Sequence, residues 1–149
     1  MALKGDRYEL DTDISFFMNE TAERGVCVST NTLGSGAAMD NSSALATLQA
    51  NPSGKYPLGI LLNDMVNLDL TRQHINWHKD EVQKGGKITI LRKGWVVTNR
   101  ISGTPTGGAP AYLAASGLIS TTQATGAPLI GQFLSTLDAD GYAKVSVNL

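Results

Sequence analysis

The sequence predicts an all-β protein of the sandwich or barrel kind, and three observations carry that expectation. Short β-branched or alternating segments recur about every eight to twelve residues, each bounded by turn-forming residues. Sixteen glycines among 149 residues favour tight turns over long helices. Strand–helix–strand alternation is absent, which argues against a parallel α/β sheet.

Taken in order, Met1–Glu23 intersperses charges with Tyr8, Leu10, Ile14, Phe16, Phe17 and Met18. Two readings stay open for it: an extended arm carrying apolar anchors, or a first strand plus a short helix on the protein's own core. We divide the chain into an N-terminal arm, 1–23, and a single β-rich domain, 24–149. Gly25–Thr30 (GVCVST) reads as a short strand by its β-branched content. Met39–Ala50 (MDNSSALATLQA) is alanine-rich and offers Asp40 or Ser42 as an N-cap, so one short helix is expected there. Asn51–Pro57 is a turn cluster of Pro and Gly. Leu58–Leu62 (LGILL) is the most apolar stretch and reads as a buried strand. The polar stretch 63–84 fits a helix or a strand equally well.

From Gly85 the pattern sharpens. Lys87–Arg92 (KITILR) alternates, Gly94 breaks the run, and Trp95–Thr98 follows, so two strands around a tight turn are expected, with Trp95 packing into the core. Gly103–Pro110 is a loop. Ala111–Ala114 and Leu118–Thr121 flank Ser116–Gly117 in a hairpin-like arrangement, and Leu129–Leu134 is a further strand. Asp138–Gly141 is a turn whose glycine takes positive φ. Tyr142–Leu149 closes the chain, with Ala143, Val145 and Val147 on one face.

The bulk properties exclude several functions. A chain of this length fits one compact core. Hydrophobic residues make up 42% and charged residues only 17%, below the roughly 25% usual for soluble domains. Its surface is solvated by uncharged polar groups or is hidden in part against partners. A net charge of −1 creates no field for nucleic acid, and the densest basic cluster, Lys84, Lys87, Arg92 and Lys93, belongs to no recognised binding motif. Cys27 is the sole cysteine, so there is neither an internal disulfide nor a metal site built on several thiolates. No apolar run approaches the roughly 18 to 20 residues of a membrane span, and the charged opening residues do not read as a secretion leader.

Chemistry-bearing motifs are weak. His74 and His78 stand four apart, as two metal-ligating imidazoles on a helix would, but the intervening residues lack the Glu of HEXXH. On a strand the two rings would be about 13 Å apart, too far for one ion. Asp138-Ala139-Asp140-Gly141 begins like a calcium loop but no later acid completes it. Gly34-Ser35-Gly36 and Gly85-Gly86-Lys87 complete no phosphate-binding motif. No residue demands catalysis, and a small metal-dependent enzyme using His74 and His78 is the remote alternative.

An ordered string of features in the last sixty-five residues adds a family resemblance. GGKITILR runs into GWVV, followed by a Gly/Pro-rich loop, APAYLAASGLIS, PLIGQFLST and DADGYAKVSVNL. Pro128, Ile130, Gly131, Leu134, Gly141, Val145 and Val147, with Leu58–Leu61 upstream, stand where similar turns and strands stand in the head decoration, or cement, proteins of tailed bacteriophages. Across residues 57–149 the chain resembles that group. The resemblance implies a small β-barrel or β-tulip-like module on the outer capsid surface of a virion, assembled in the host cytoplasm. It implies binding to the major capsid protein as a trimer or dimer, with no cofactor, no nucleic acid and no membrane. Arg7, Tyr8, Phe16, Phe17 and Trp77 are the candidate protein-interface residues. A tail or fibre-attachment protein is the alternative within the virion.

Overall fold

A computed structural model describes residues 3–30, 45–62 and 81–149. Among the described residues thirteen strands follow one another: β1 (Tyr8–Asp13), β2 (Phe17–Met18), β3 (Ala22–Glu23), β4 (Cys27–Thr30), β5 (Leu45–Thr47), β6 (Pro57–Leu61), β7 (Glu81–Val82), β8 (Ile90–Thr98), β9 (Ile101–Ser102), β10 (Pro110–Leu113), β11 (Ile119–Ser120), β12 (Leu129–Phe133) and β13 (Ala143–Asn148). A 3-10 turn, Ala115–Gly117, links β10 to β11. The all-β class is as the sequence predicts.

One mixed sheet holds eleven of these strands in the order β2-β5-β4-β6-β8-β13-β12-β10-β11-β9, with β1 paired to β8 off this path. β3 and β7 form a separate antiparallel pair. The nine residues of β8 organise everything. Trp95 pairs with both Tyr8 and Ser146, and Leu91 with both Thr12 and Ile60. A strand has two edges, so β1 runs along one of them while β13 and β6 share the other, end to end.

That arrangement builds two cores. Ile60, Leu62, Leu91, Val96, Leu113, Ile130, Phe133, Val145 and Val147 belong to one cluster, and Met18, Val28, Leu58, Leu61, Ile88 and Ile90 to the other. Ile60 and Leu61 at the end of β6, with Leu62 just past it, and Ile90 and Leu91 at the start of β8, alternate between the two clusters, as a strand's side chains alternate between faces. This explains why LGILL is apolar without interruption: both of its faces are buried. In β13 only one face is inward, so Ala143, Val145 and Val147 are buried while Lys144 and Ser146 are half-exposed.

Four expectations need correction. The sheet is not closed into a barrel. A barrel needs ladders of matched tilt and shear all the way round, and here the terminal strands β2 and β9 have two residues each. A lone bridge, Phe17 to Lys87, brings the first of them back towards β8. The helix expected over Met39–Ala50 is replaced at Leu45–Thr47 by β5, residues 39–44 lying outside the described residues. Pairing on both edges, with Phe17–Met18 and with Ser29–Thr30, outweighs the helix preference of alanine, and Ala46 is fully buried.

Gly94 is no turn: β8 passes straight through it. It has φ +139°, and a Cβ there would collide with the carbonyl oxygen of Tyr8, so glycine is required by the close approach of β1. Trp95, in mid-strand, is half-exposed on the sheet's outer face instead of packing in the core. At the Asp138–Gly141 turn, by contrast, Gly141 takes φ +82° as expected.

Candidate attachment surface

β1 has the sequence YELDTD, and five of its six residues are exposed. Ordinary strands bury at least one face; this one is held by its hydrogen-bonded edge on β8. The register shifts between Glu9 and Asp11, so Leu10 bulges from the ladder and is 66% exposed. Tyr8 is 52% and Ile14, just past the strand, 54% exposed.

Polar contacts fix this strand's surroundings. The Tyr8 ring stacks on Trp95 with centroids 6.5 Å apart, and the Lys144 ammonium lies 3.8 Å from the Trp95 centroid. Lys144 also stands 3.7 Å from Asp6. Arg7 pairs with Glu9 at 2.7 Å, and Asp11 lies across from Lys93. Asp13 accepts hydrogen bonds from the backbone N–H and hydroxyl of Ser15, turning the chain out of β1. Upstream, Leu3 is buried in the first core and bridges to Thr98, while Lys4 reaches Asp138 at 2.7 Å. The Lys4 ammonium, then the backbone N–H groups of Tyr142 and Asp140, hold the Asp138 carboxyl down at about 2.

The expected interface residues are placed unequally. Arg7 is half-buried beside Glu9, and Tyr8 is well exposed. Phe16 packs half-buried against the second core, and Phe17 lies half-buried in β2 with the Lys87 ammonium 6.0 Å from its centroid. Trp77 lies outside the described residues, as do His74 and His78. Sequence reasoning offered Leu10 and Ile14 as anchors of a possible arm without placing them in the interface set, and it missed Trp95 as a surface feature. A signal for the first two was present: Tyr8, Leu10, Thr12 and Ile14 alternate with Glu9, Asp11 and Asp13.

Reactive chemistry is poorly served. Burial pushes the Cys27 thiol up to about 12, so it is a packed side chain and not a nucleophile at neutral pH. Among the described residues no group of three or more His, Cys, Asp and Glu gathers to hold a metal ion. Arg100 is ion-paired with Glu23 beside a shallow depression of about 400 Å³ lined by Val26, Leu48 and Leu118.

Residues 8–148 match the family described as Structural cement protein (E217 gp24/Pam3 gp6). The chain belongs to that family. It is a phage cement protein, a structural component of the virion that stabilises the capsid. The match extends well upstream of the resemblance seen in residues 57–149 and takes in β1 to β5. No curated protein matches the chain significantly. No helix among the described residues is long and apolar enough to cross a membrane.

Proposed function

We propose that this cement protein holds the outer face of the shell by binding the major capsid protein, as a trimer or dimer, and that it does so without catalysis, cofactor or nucleic acid. One observation carries the reading: β1 and the residue after it present Tyr8, Leu10 and Ile14 to solvent from a strand secured along one edge. Exposed apolar side chains on an ordered strand gain free energy only against a partner. Residues 1–23 act in this reading as the attachment segment of a body formed by 24–149. Arg7, Phe16 and Phe17 flank the anchors, and Trp77, outside the described residues, is the remaining candidate for the same interface. Each contact is weak alone. Repetition within an oligomer and across a lattice makes the total strong through effective concentration.

The test is co-sedimentation with shells stripped of cement protein. Replacing Tyr8, Leu10 and Ile14 together by Ser removes about 1.5 kcal/mol or more of burial at each site, so affinity falls about tenfold per residue. Unchanged binding by the triple variant overturns the proposed surface.

A further inference from the structure

The partner at this surface has a definable chemistry, and the inference rests on the reading just given. β1 pairs with β8 along one edge; among the described residues no strand pairs with the other. Six residues of backbone there, about 20 Å at the usual strand rise, can accept or donate main-chain hydrogen bonds to an added strand. Open edges in natural proteins are guarded against indiscriminate pairing by charges and bulges. Here the guard is mostly of one sign. Between Asp6 and Asp13 the segment itself carries four carboxylates, Asp6, Glu9, Asp11 and Asp13, and one guanidinium, Arg7; the cations near two of those acids, Lys144 by Asp6 and Lys93 across from Asp11, belong to β13 and β8. Leu10 bulges out between two of the acids.

We infer that the open edge of β1 receives an extended, Lys/Arg-bearing segment of the neighbouring capsid subunit, added antiparallel or parallel as a further strand. The cement protein thus accepts a strand and does not contribute one, because the other edge of β1 is already spent on β8. A second copy of this chain is the poorer occupant. Antiparallel pairing of β1 with itself over its whole length would set Tyr8 against Asp13, Glu9 against Thr12 and Leu10 against Asp11, so no cation faces an acid, and a shift to centre on Asp11 sets Glu9 against Asp13 and Asp11 against its own copy. Cationic side chains lying across from Glu9 and Asp11 supply the pairing that a second copy lacks. Leu10 and Ile14 supply the apolar contacts on either side of the ladder.

Hydrogen exchange on the full-length protein, free and bound to stripped shells, reads the added ladder directly. Backbone amides within residues 8–13 that exchange fast in the free protein slow markedly on binding. The Glu9→Gln, Asp11→Asn double variant retains the circular-dichroism spectrum of the parent. It binds shells about tenfold more weakly at low salt and loses much of the parent's salt dependence. Shell binding without added protection at 8–13, or with the same affinity and salt slope in the double variant, overturns the strand-addition inference while leaving the attachment function standing. Absence of binding to stripped shells overturns both. Self-association in solution that is abolished by changes in β1 also overturns the inference, because it makes the occupant a second copy.

Discussion

One residue with no part in the proposed recognition decides whether β1 can sit where it does. Gly94 allows the backbone of β8 to approach the Tyr8 carbonyl so closely that no side chain fits. Gly94→Ala combines that collision with a φ of +139°, so either the ladder opens locally or the protein loses about 2 kcal/mol or more. The expected outcome is a lower urea midpoint together with faster proteolysis around Tyr8; an unchanged midpoint and an unchanged cleavage pattern would contradict the close approach. Cys27 makes the opposite point, since it is fully buried and its thiol rises from 9.0 to about 12 by desolvation. The unfolded chain releases that proton from about pH 9 upwards while the folded chain keeps it, so stability falls as pH rises between about 9 and about 12. Thiol reagents at pH 8 should therefore label the folded protein only through opening, orders of magnitude more slowly than the urea-unfolded chain. Labelling of the native protein at a rate close to that of the unfolded chain would show an accessible thiol.

Among elements, the N-terminal segment is fastened at a second point beyond β1. Lys4 joins it to the turn before β13 through Asp138, with Asp140 a further 3.9 Å contact. The depressed carboxyl of Asp138 favours the folded form while ionised. Its contribution is complete above about pH 4 and disappears as pH falls towards 2. The Lys4 ammonium is raised above 10.5, chiefly by its hydrogen bond to Asp138, so its share is complete below that pH and is lost above it. Exchange at residues 3–6 should accelerate at pH 3 relative to pH 6 beyond the intrinsic chemical rate, and Asp138→Asn should abolish that excess. An Asp138→Asn protein with the parent's acid response would discount the clip. The same elements show what the sequence discloses. β13 and β6 are legible because burial on one face or on both leaves alternation or an unbroken apolar run. β5 is not, because its strand character comes from two neighbours distant in sequence and not from alanine or leucine themselves. Gly94 reads as a break because a glycine needed for close approach and one needed for a turn look the same without the approaching strand. β1 shows strict alternation, yet its apolar residues face no core, so pattern alone leaves its placement open between arm and strand.

For the molecule as a whole, the two clusters share walls, and this bears on how a cement protein can stabilise a shell. Cys27 and Val28 of β4, Ile60 and Leu61 of β6, and Ile90 and Leu91 of β8 each send one side chain to either cluster. Neither core can be lost while the other keeps its packed wall, so a cavity at one end weakens the end that carries β1. Phe133→Ala, in the first cluster and fully buried, should cost about 3–5 kcal/mol and lower the opening free energy seen by exchange at Met18, in the second cluster, by the same amount. Two transitions, with Met18 unaffected in the first, would show the clusters to be independent. Cooperative folding matters because a ligand stabilises an assembly only while it is itself folded and bound. Binding to the assembled shell and not to free coat subunits shifts assembly by about 2.7 kcal/mol per site at a hundredfold excess over Kd. Shell melting temperature should therefore climb with the logarithm of free cement protein well past the point where its sites are filled. With Phe133→Ala the climb should fail at the temperature where the variant unfolds, not at the temperature where the shell does. A shell whose melting is indifferent to the concentration of cement protein would mean that it also binds the disassembled coat equally well, and that the lattice gains nothing from its presence.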